Sequence, residues 1–322
     1  MRQKIYRAWE RFFFAPISPL PIAVFRILYG LCVLATLLLL HSEWPDWYGV
    51  DAWVSRATNA QMESGLRLNL FQVMPDNNHL VTLFFWIFLA FCILLILGLW
   101  TRLSSVAVFL CLASIQQRNL FITNGGDTFL RVAGFFLIFA PAGAMLSLDR
   151  LRQRRRGGQA AVAPSAPWAQ RMIQFELALL YFASFLWKMK GDTWRNGTAL
   201  YYVFHLNAIQ RFPVPAWMQH SFLLHAGTWF ALLLEFSLGT LLWFRPFRYP
   251  LLLLGLAFHL LLEYALNLPM IQWDILSAYV LFVEPADLRH AATAILGLLP
   301  WQRQRPGAPQ TAAADAPSAA AR

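Results

Sequence analysis

Two lysines, an aspartate and several aromatic residues lie together where a long apolar segment of the chain ends. The segment reads Phe185-Leu-Trp-Lys188-Met-Lys190-Gly-Asp192-Thr-Trp194-Arg-Asn-Gly197. A lysine acts as a base near neutral pH only when desolvation or nearby positive charge favours its neutral amine. Lys190 and Arg195 are placed to supply that charge, and the aromatic residues to form an apolar wall. The alternative is that Lys188 extends its ammonium group to the water interface, the common fate of a lysine after an apolar segment.

Other ionisable side chains lie within the apolar segments, where each costs about 2.5–3.5 kcal/mol on insertion scales. We expect at least some of them to face the protein interior and form a polar network. They are Arg26, Arg131, Glu176, Glu235, His259, Glu263 and Asp274. For Arg26, near the start of its segment, extension to the interface and a buried pairing are both open. Glu176 would lie about 18 Å from Lys188 along one helix, so direct contact is not expected.

Two pairs have the i, i+4 spacing of one helix face. Asp127 and Arg131 would support each other at the start of a helix, which predicts a structural role. Asn124-Gly-Gly-Asp127 before them is a turn with an acidic helix cap, and its glycines allow close backbone approach. His259 and Glu263 share the second face, but no second histidine joins them, so we predict no metal. A proton relay or an interhelical hydrogen bond is the expectation for His259.

The elements that must position these residues are membrane-spanning helices. Apolar residues make up 58% of the chain and charged residues 13%, against about 25% charged in a globular domain. Runs of sufficient length, without alternation, predict an all-α integral membrane bundle of about eight transmembrane helices. The candidate spans are 21–40, 80–99, 103–117, 129–148, 170–187, 223–244, 250–266 and 271–283.

Arginine and lysine collect in the segments that eight crossings would place on one side of the membrane. By the positive-inside rule that side is cytoplasmic, so both termini are predicted to be cytoplasmic. The net charge of +10 then reports topology and contact with membrane lipid, and nucleic acid is not expected as a partner. The extracytoplasmic side carries loops 41–79, 118–127 and 188–222. Trp44, Trp47, Tyr48 and Trp53 in the first of these suit an aromatic belt at headgroup level.

This topology divides the chain into three parts. Residues 1–20 form a basic cytoplasmic or interfacial leader, residues 21–284 the membrane domain, and residues 285–322 a cytoplasmic, largely disordered tail. The membrane domain contains a cytoplasmic linker at 149–167. Cys32, Cys92 and Cys111 all lie inside predicted spans, so neither disulfides nor a cysteine metal site is expected.

Four stretches in order resemble one known family. They are Val24-Phe25-Arg26-Ile-Leu-Tyr29-Gly30, Asn124-Gly-Gly-Asp127-Thr-Phe-Leu-Arg131 leading to Ser147-Leu148-Asp149, the run Tyr181–Trp194 with Asn196-Gly197, and Phe258-His259. Together they resemble the membrane domain shared by vitamin K-dependent gamma-carboxylases and their bacterial relatives, the horizontally transferred transmembrane (HTTM) domain. The resemblance covers most of the chain from Val24 to Val283.

The resemblance implies a specific chemistry. In the carboxylases a lysine deprotonates reduced vitamin K, and oxygen converts the quinol into a strong base that removes the gamma proton of a glutamate. The carbanion then takes up carbon dioxide and the quinone leaves as an epoxide. Lys188 best matches that lysine, and Lys190 is the competing assignment. Reduced vitamin K or menaquinol, O2 and CO2 are the implied cofactors. The residues expected to support Lys188 are Lys190, Asn124, Asp127, Asp192, Trp194 and His259.

The chain departs from the carboxylases at two points. Gly126 and Asp127 stand where the animal enzymes have a histidine, and only a short segment follows Val283 in place of a large extramembrane domain. Propeptide-directed carboxylation of a large protein is therefore not expected, and the partner is left open as a peptide or protein substrate or a partner subunit. A non-catalytic accessory subunit of the export, maturation or immunity type is the alternative, and a transporter a weaker one. The predicted location is the bacterial inner membrane, with the site facing the periplasm.

Overall fold

The computed structural model describes residues 2–62, 68–157 and 162–298, and over these ranges it is all-α, as predicted. The strand-like pairings within these ranges are two isolated backbone bridges, Ile17 with Ser165 and Gln210 with Leu266. Short 3-10 turns occur at Leu70–Gln72, Leu120–Ile122, Ala216–Gln219, Leu241–Trp243 and Ala278–Phe282. The α-helices of the described residues are α1 (Arg2–Phe14), α2 (Leu20–Leu40), α3 (Trp44–Tyr48), α4 (Arg56–Met62), α5 (Asn78–Leu97), α6 (Thr101–Arg118), α7 (Gly125–Phe139), α8 (Leu148–Arg155), α9 (Trp168–Met189), α10 (Asp192–Arg195), α11 (Ala199–Phe204), α12 (Ser221–Thr240), α13 (Arg245–Ala265), α14 (Ile271–Ser277) and α15 (Pro285–Leu298).

Among the described residues, five helices are long and apolar enough to cross a membrane. They are α2, α5, α9, α12 with the 3-10 turn that follows it, and α13. Helix α6 has sufficient length but carries serines and glutamines. The hydroxyl groups of Ser105 and Ser114 donate hydrogen bonds to backbone carbonyls one turn earlier. The last predicted span is a short apolar helix at Ile271–Phe282. The protein is thus an integral membrane protein, and five of its described helices have both the length and the apolar composition of a membrane span.

The fourth predicted span, 129–148, is wrong as a single helix. Helix α7 begins earlier, at Gly125, and ends at Phe139, where Ala140 adopts an extended conformation with ψ of 151°. The residue before a proline is disfavoured in the helical region, and Pro141 follows Ala140 directly. The chain then forms a loop and restarts as the basic helix α8.

The core of the bundle is built around α2, half of which is buried. Its Phe25, Tyr29 and Leu37 pack with buried residues of α5, α7 and α9 such as Phe88 and Leu177. Helix α13, in contrast, exposes leucines along most of its length. Because lipid tails are as apolar as leucine, an exposed leucine surface is compatible with a position at the bundle edge facing the bilayer.

Two residues predicted to form an interfacial aromatic belt are part of the core. Trp44 and Tyr48 are both buried, and the Trp44 indole Nε1 donates a hydrogen bond to the Val81 carbonyl over 3.1 Å. Trp53 remains exposed and packs against Trp47 with ring centroids 4.5 Å apart. The loop between α2 and α5 therefore folds back into the bundle, because its buried indole finds a backbone acceptor there.

The chain divides into two compact units, residues 1–283 and residues from 284 onward. Within the second unit, Pro285–Leu298 forms helix α15. The rest of the predicted tail, residues 299–322, and residues 158–161 of the predicted linker lie outside the described residues.

Candidate functional site

Lys188 forms an ion pair with Glu235 of α12. Its ammonium group also donates a hydrogen bond to the Ser184 hydroxyl over 3.1 Å and lies 4.9 Å from the ring centroid of Trp194. The Lys188 side chain is 24% exposed and the Glu235 side chain 6%. Lys188 therefore does not extend into water; it is held between two helices by a carboxylate, a hydroxyl and an aromatic ring.

Helix geometry explains why these groups meet. Tyr181, Ser184 and Lys188 have the i, i+3, i+7 spacing that places side chains on one face of α9. Gly239 lies against Ala178 and Phe182 while Glu235 reaches Lys188, so α9 and α12 run antiparallel. This crossing brings Glu235 to the polar face of α9.

A second buried group of polar side chains begins at Tyr181. Its hydroxyl lies 2.6 Å from both His259 Nε2 and the Tyr279 hydroxyl. His259 Nδ1 lies 2.5 Å from the Gln272 side-chain oxygen, which can only accept. The Nδ1 atom therefore carries the proton, Nε2 accepts from Tyr181, and Tyr181 accepts from Tyr279. The result is a directed chain of hydrogen bonds through α9, α13, α14 and the 3-10 turn after it.

Space for this chain depends on Gly255. A Cβ atom at that position would lie 2.2 Å from the Tyr279 hydroxyl oxygen, well inside van der Waals contact. Helix α13 can therefore approach Tyr279 closely only because residue 255 has no side chain.

The two groups are electrostatically connected. Lys188 is close enough to His259, and Glu235 to Tyr181, for a Coulombic interaction between each pair of groups. The second carboxylate oxygen of Glu235, Oε2, is buried and has no hydrogen-bond partner within the described ranges. A buried acceptor without a donor is costly, so this atom is available to a hydroxyl group of a ligand. Chemically, the arrangement can hold a proton between an amine and a carboxylate next to a hydrogen-bonded relay.

An apolar cavity of about 310 Å³ lies between α11, α12 and α13. Ala231 in its wall is one helical turn from Glu235, and Phe258 is the neighbour of His259. The lining is almost wholly aliphatic and aromatic, with Leu200, Phe204, Met218, Phe230 and Leu261 among its members. The cavity offers a place for an apolar chain against α12 and α13, the helices that also carry Glu235 and His259.

The other residues predicted around Lys188 are distributed differently. Trp194 faces the Lys188 ammonium group as expected, whereas Lys190 lies over the Trp187 ring, with its Nζ atom 3.8 Å from the centroid. Asp192 forms an exposed ion pair with Arg195. Of the two lysines, Lys188 is therefore the one engaged with buried polar groups.

Asn124 and Asp127 form a capping box at the start of α7. The Asn124 side chain accepts from the Gly126 N–H over 2.7 Å, and the Asp127 carboxylate accepts from the Asn124 N–H over 2.8 Å. The charge of Arg131 also acts on Asp127. Asp274 is buried nearby, where a Cβ on Gly126 would lie 2.8 Å from its carboxylate. These acids form a group of their own at the α7 cap.

The remaining predicted residues also have separate surroundings. Arg26 is fully buried and donates to the carbonyls of Ala142, Ile96 and Leu146, so it does not extend to the interface. Glu263 pairs with Arg211 over 2.6 Å and does not join His259. Glu176 has one buried carboxylate oxygen without a partner, as expected of an acid remote from Lys188.

Sequence reasoning missed four members of the site: Tyr181, Ser184, Gln272 and Tyr279. Tyr181 and Ser184 could have been found, because their spacing from Lys188 is that of one helix face. Gln272 and Tyr279 carry no such signal, since their approach to His259 depends on how α14 packs against α13.

Comparisons with known proteins identify the family of the chain. A family model for the HTTM domain matches residues 14–286. The chain is similar to the uncharacterized protein YitO of Bacillus subtilis (strain 168), with 26% identity over 251 residues, which cover 74% of this chain and 78% of that protein. No solved structure matches it significantly. Since the matched family region includes well over half of the chain, the protein belongs to the HTTM domain family.

Proposed function

We propose that this member of the HTTM domain family is a membrane-embedded enzyme that takes a proton from a reduced lipid quinone, with Lys188 as the base. The observation that carries the proposal is the ion pair between the partly exposed Lys188 and the buried Glu235, whose second carboxylate oxygen has no partner among the described residues. Resemblance to the gamma-carboxylases supports the same lysine, and Lys190 on the Trp187 ring has no comparable partner among the described residues.

The proposed topology has eight crossings in the bacterial inner membrane, with both termini cytoplasmic and Lys188 near the periplasmic side. Three features support it. Helical segments occur in each of the eight candidate ranges, although the helix in 129–148 ends at Phe139. Helix α1 has Lys4, Arg7 and Arg11 on one face, and α8 carries a run of arginines. Basic residues collect on the cytoplasmic side of membrane proteins.

In this mechanism the chain first has to free an amine. A lysine paired with a carboxylate is favoured in its charged form, but burial disfavours both charges. Transfer of the proton from Lys188 Nζ to Glu235 Oε1 leaves a neutral amine beside a neutral acid. Ser184 and the Trp194 ring hold Nζ in place during this exchange. The neutral amine is then able to accept a proton from a bound hydroxyl group.

Near the Lys188–Glu235 pair, His259 would hold a proton at Nε2, with Tyr181 as its hydrogen-bond partner. His259 is held in one tautomer by Gln272, so its Nε2 atom faces the Tyr181 hydroxyl as an acceptor. A group oriented in this way accepts a proton without first rotating. His259 Nε2 is therefore positioned to accept a proton, Gln272 to fix the orientation of the imidazole ring, and Tyr279 to hold Tyr181 in place.

The residues present fit a quinol. Glu235 Oε2 offers an acceptor to a hydroxyl group, and the 310 Å³ apolar cavity offers a place for an isoprenoid chain. When bound, reduced vitamin K or menaquinol would supply the reducing equivalents that turn O2 into the epoxide oxygen and water, and would thereby drive carboxylation of a glutamate side chain with CO2. That glutamate would belong to a peptide or protein partner.

The test uses purified full-length protein in lipid nanodiscs containing menaquinol under air. Quinol oxidation is followed optically, and quinone epoxide by mass spectrometry. Lys188→Ala should lower the rate about 10²–10⁴-fold, the usual contribution of a general base. Lys190→Ala is the matched control and should retain most of the activity. Equal activity in the Lys188 and Lys190 variants would reject the assignment, and no oxidation by the unaltered protein would favour a non-catalytic accessory subunit.

A further inference from the structure

A second cavity, of about 330 Å³, lies outside the Lys188 cluster. It is formed where α4, the 3-10 turn Leu70–Gln72 and the end of α6 meet. Its lining combines two arginines with amide side chains and a few apolar groups: Arg56, Ala57, Asn59, Ala60, Asn69, Phe71, Gln72 and Arg118. Among these lining residues no side chain carries negative charge.

Arg118 is 1% exposed and only partly satisfied. Its two terminal nitrogens donate to the carbonyls of Val54 and Gly49 over 2.8 and 3.3 Å. These bonds hold the loop after α3 against the end of α6. The Nε–H group is fully buried and has no partner among the described residues.

Arg56 provides the second guanidinium group. Its Nη1 atom donates to the Met74 carbonyl over 2.7 Å and pairs with Asp76 over 2.8 Å. Its Nε and Nη2 atoms are buried without partners. Asp76 is 66% exposed, so solvent weakens its compensation of this charge. The two guanidinium groups are also close enough for their charges to repel.

Among the described residues, three buried guanidinium nitrogens on two neighbouring cations have no hydrogen-bond partner, which leaves the arrangement incomplete. Each unpaired buried donor costs about 1–3 kcal/mol, and more when charged. A structural role explains the bonds of Arg118 to Val54 and Gly49, but it explains neither the unpaired donors nor the second cation. An oxyanion would satisfy all three donors and offset the repulsion, because guanidinium groups match carboxylate and phosphate in geometry.

We propose that this cavity is a binding site for an oxyanion, either a carboxylate or a phosphate, held between Arg56 and Arg118. The volume admits a small organic acid, since a water molecule occupies about 30 Å³ in the liquid. Ala57, Ala60 and Phe71 would contact the apolar part of such a ligand. The site does not depend on the quinol chemistry proposed for Lys188.

The experiment titrates the full-length protein in detergent with inorganic phosphate and with glutarate, against chloride at equal ionic strength. Binding is read from calorimetry and from the rise in melting temperature, because a ligand that binds the folded state stabilises it. We expect saturable binding of at least one of the two oxyanions. Arg56→Gln should weaken it about tenfold or more, the equivalent of one charged hydrogen bond.

Arg154→Gln, on the exposed surface of α8, is the matched control and should bind like the unaltered protein. Arg118→Lys keeps a positive charge but removes the Nε–H donor, so it should also bind more weakly. It serves as the second variant if Arg56→Gln does not fold. Repeating the titration in phosphatidylglycerol nanodiscs distinguishes the source of the anion, since loss of binding there identifies a lipid phosphate as the occupant. No saturable response to either oxyanion, or an unchanged affinity in both arginine variants, would overturn the proposal.

Discussion

Arg26 and Lys188 are both cations within apolar helices, but they are stabilised by different kinds of partner. Arg26 donates to three backbone carbonyls, of Ala142, Ile96 and Leu146, which cannot take up a proton. Lys188 is held by the side chains of Glu235 and Ser184, and Glu235 can take up a proton. Arg26 is fully buried, whereas the Lys188 side chain is 24% exposed. The comparison shows that the nature of the partner separates a structural cation from one equipped for proton transfer.

The region around Arg26 and Asp149, called here the structural end, is held by close contacts and hydrogen bonds. Gly98 ends α5 with φ of +66°, and a Cβ there would lie 2.5 Å from the Arg26 guanidinium. Asp149 accepts from the N–H groups of Trp100 and Thr101 over 2.9 and 2.8 Å, which caps α6. Arg26 contacts the end of α5 and the loop after α7, and Asp149 of α8 binds the start of α6.

The largest expected effect follows from removing the charge at Glu235. Glu235→Gln keeps the size of the side chain but cannot take the proton from Lys188, so quinol oxidation should fall about 10²–10⁴-fold. The double variant with Lys188→Ala should be no slower than the slower single variant, because the two residues act as a unit. Steady-state rates in nanodiscs measure both. If the two losses multiply, Lys188 and Glu235 act independently and the comparison fails.

Arg26→Gln should affect stability and leave catalysis unchanged. Three carbonyls lose a charged donor, which should lower the free energy of unfolding by about 3–5 kcal/mol. Thermal unfolding in detergent measures the loss, and Arg102→Gln on the exposed face of α6 is the control. The rate of quinol oxidation per folded molecule should stay within about twofold. A selective loss of rate at unchanged stability would assign Arg26 a role in the chemistry.

Gly255→Ala tests whether the relay depends on close packing. The added methyl group would meet the Tyr279 hydroxyl, and overpacking of this kind costs about 1–3 kcal/mol. Adding Tyr279→Phe removes the obstructing oxygen and should restore most of the melting temperature. Gly125→Ala is the control, because no atom lies within 4 Å of a Cβ at that position. Failure of Tyr279→Phe to rescue Gly255→Ala would mean that the loss of stability does not arise from contact with the Tyr279 hydroxyl.

The smallest effect concerns acid stability at the structural end. Burial raises the pKa of the Asp149 carboxyl, but hydrogen bonds from Thr101 and Trp100 outweigh it and hold the pKa below its ordinary value. The stabilisation is therefore complete above the unfolded-state pKa, near 4, and is lost as the pH falls through the folded-state value. Asp149→Asn should lower stability at pH 7 by about 0.5–2 kcal/mol and flatten the acid limb of the unfolding curve.

The matched control for this measurement is Asp51→Asn, at an exposed position. It should leave the curve unchanged between pH 3 and 7. A curve for Asp149→Asn that keeps the full acid limb of the unaltered protein would show that other carboxylates carry the pH dependence.

The positions of the helices follow closely from local patterns. The predicted span 21–40 corresponds to α2, and 170–187 lies within α9. The exceptions have local causes as well. The predicted span 129–148 extends past Pro141, where the helix has already ended. The span 103–117 is a helix, but its serines and glutamines lower its hydropathy. Hydropathy finds helices well but does not say which of the shorter ones cross a membrane alone.

For the candidate site, the sequence predicted several of the residues but not their partners. Lys188, Glu235 and His259 are conspicuous because a charged or titratable group within an apolar segment is expensive. Their assignment to partners was not predictable, as the separate fates of His259 and Glu263 show. Both lie on one face of α13, yet one bonds to Gln272 and the other to Arg211.

The amino-acid sequence alone determined that the chain is an all-helical membrane protein of the HTTM family and that Lys188 stands at the end of an apolar helix. These properties depend on hydropathy and on short motifs, which are local. Only the tertiary structure decided that Lys188 meets Glu235 and that Tyr181 joins His259 to Tyr279. Such pairings depend on the angle and register at which helices cross, and these are set by packing across the whole bundle.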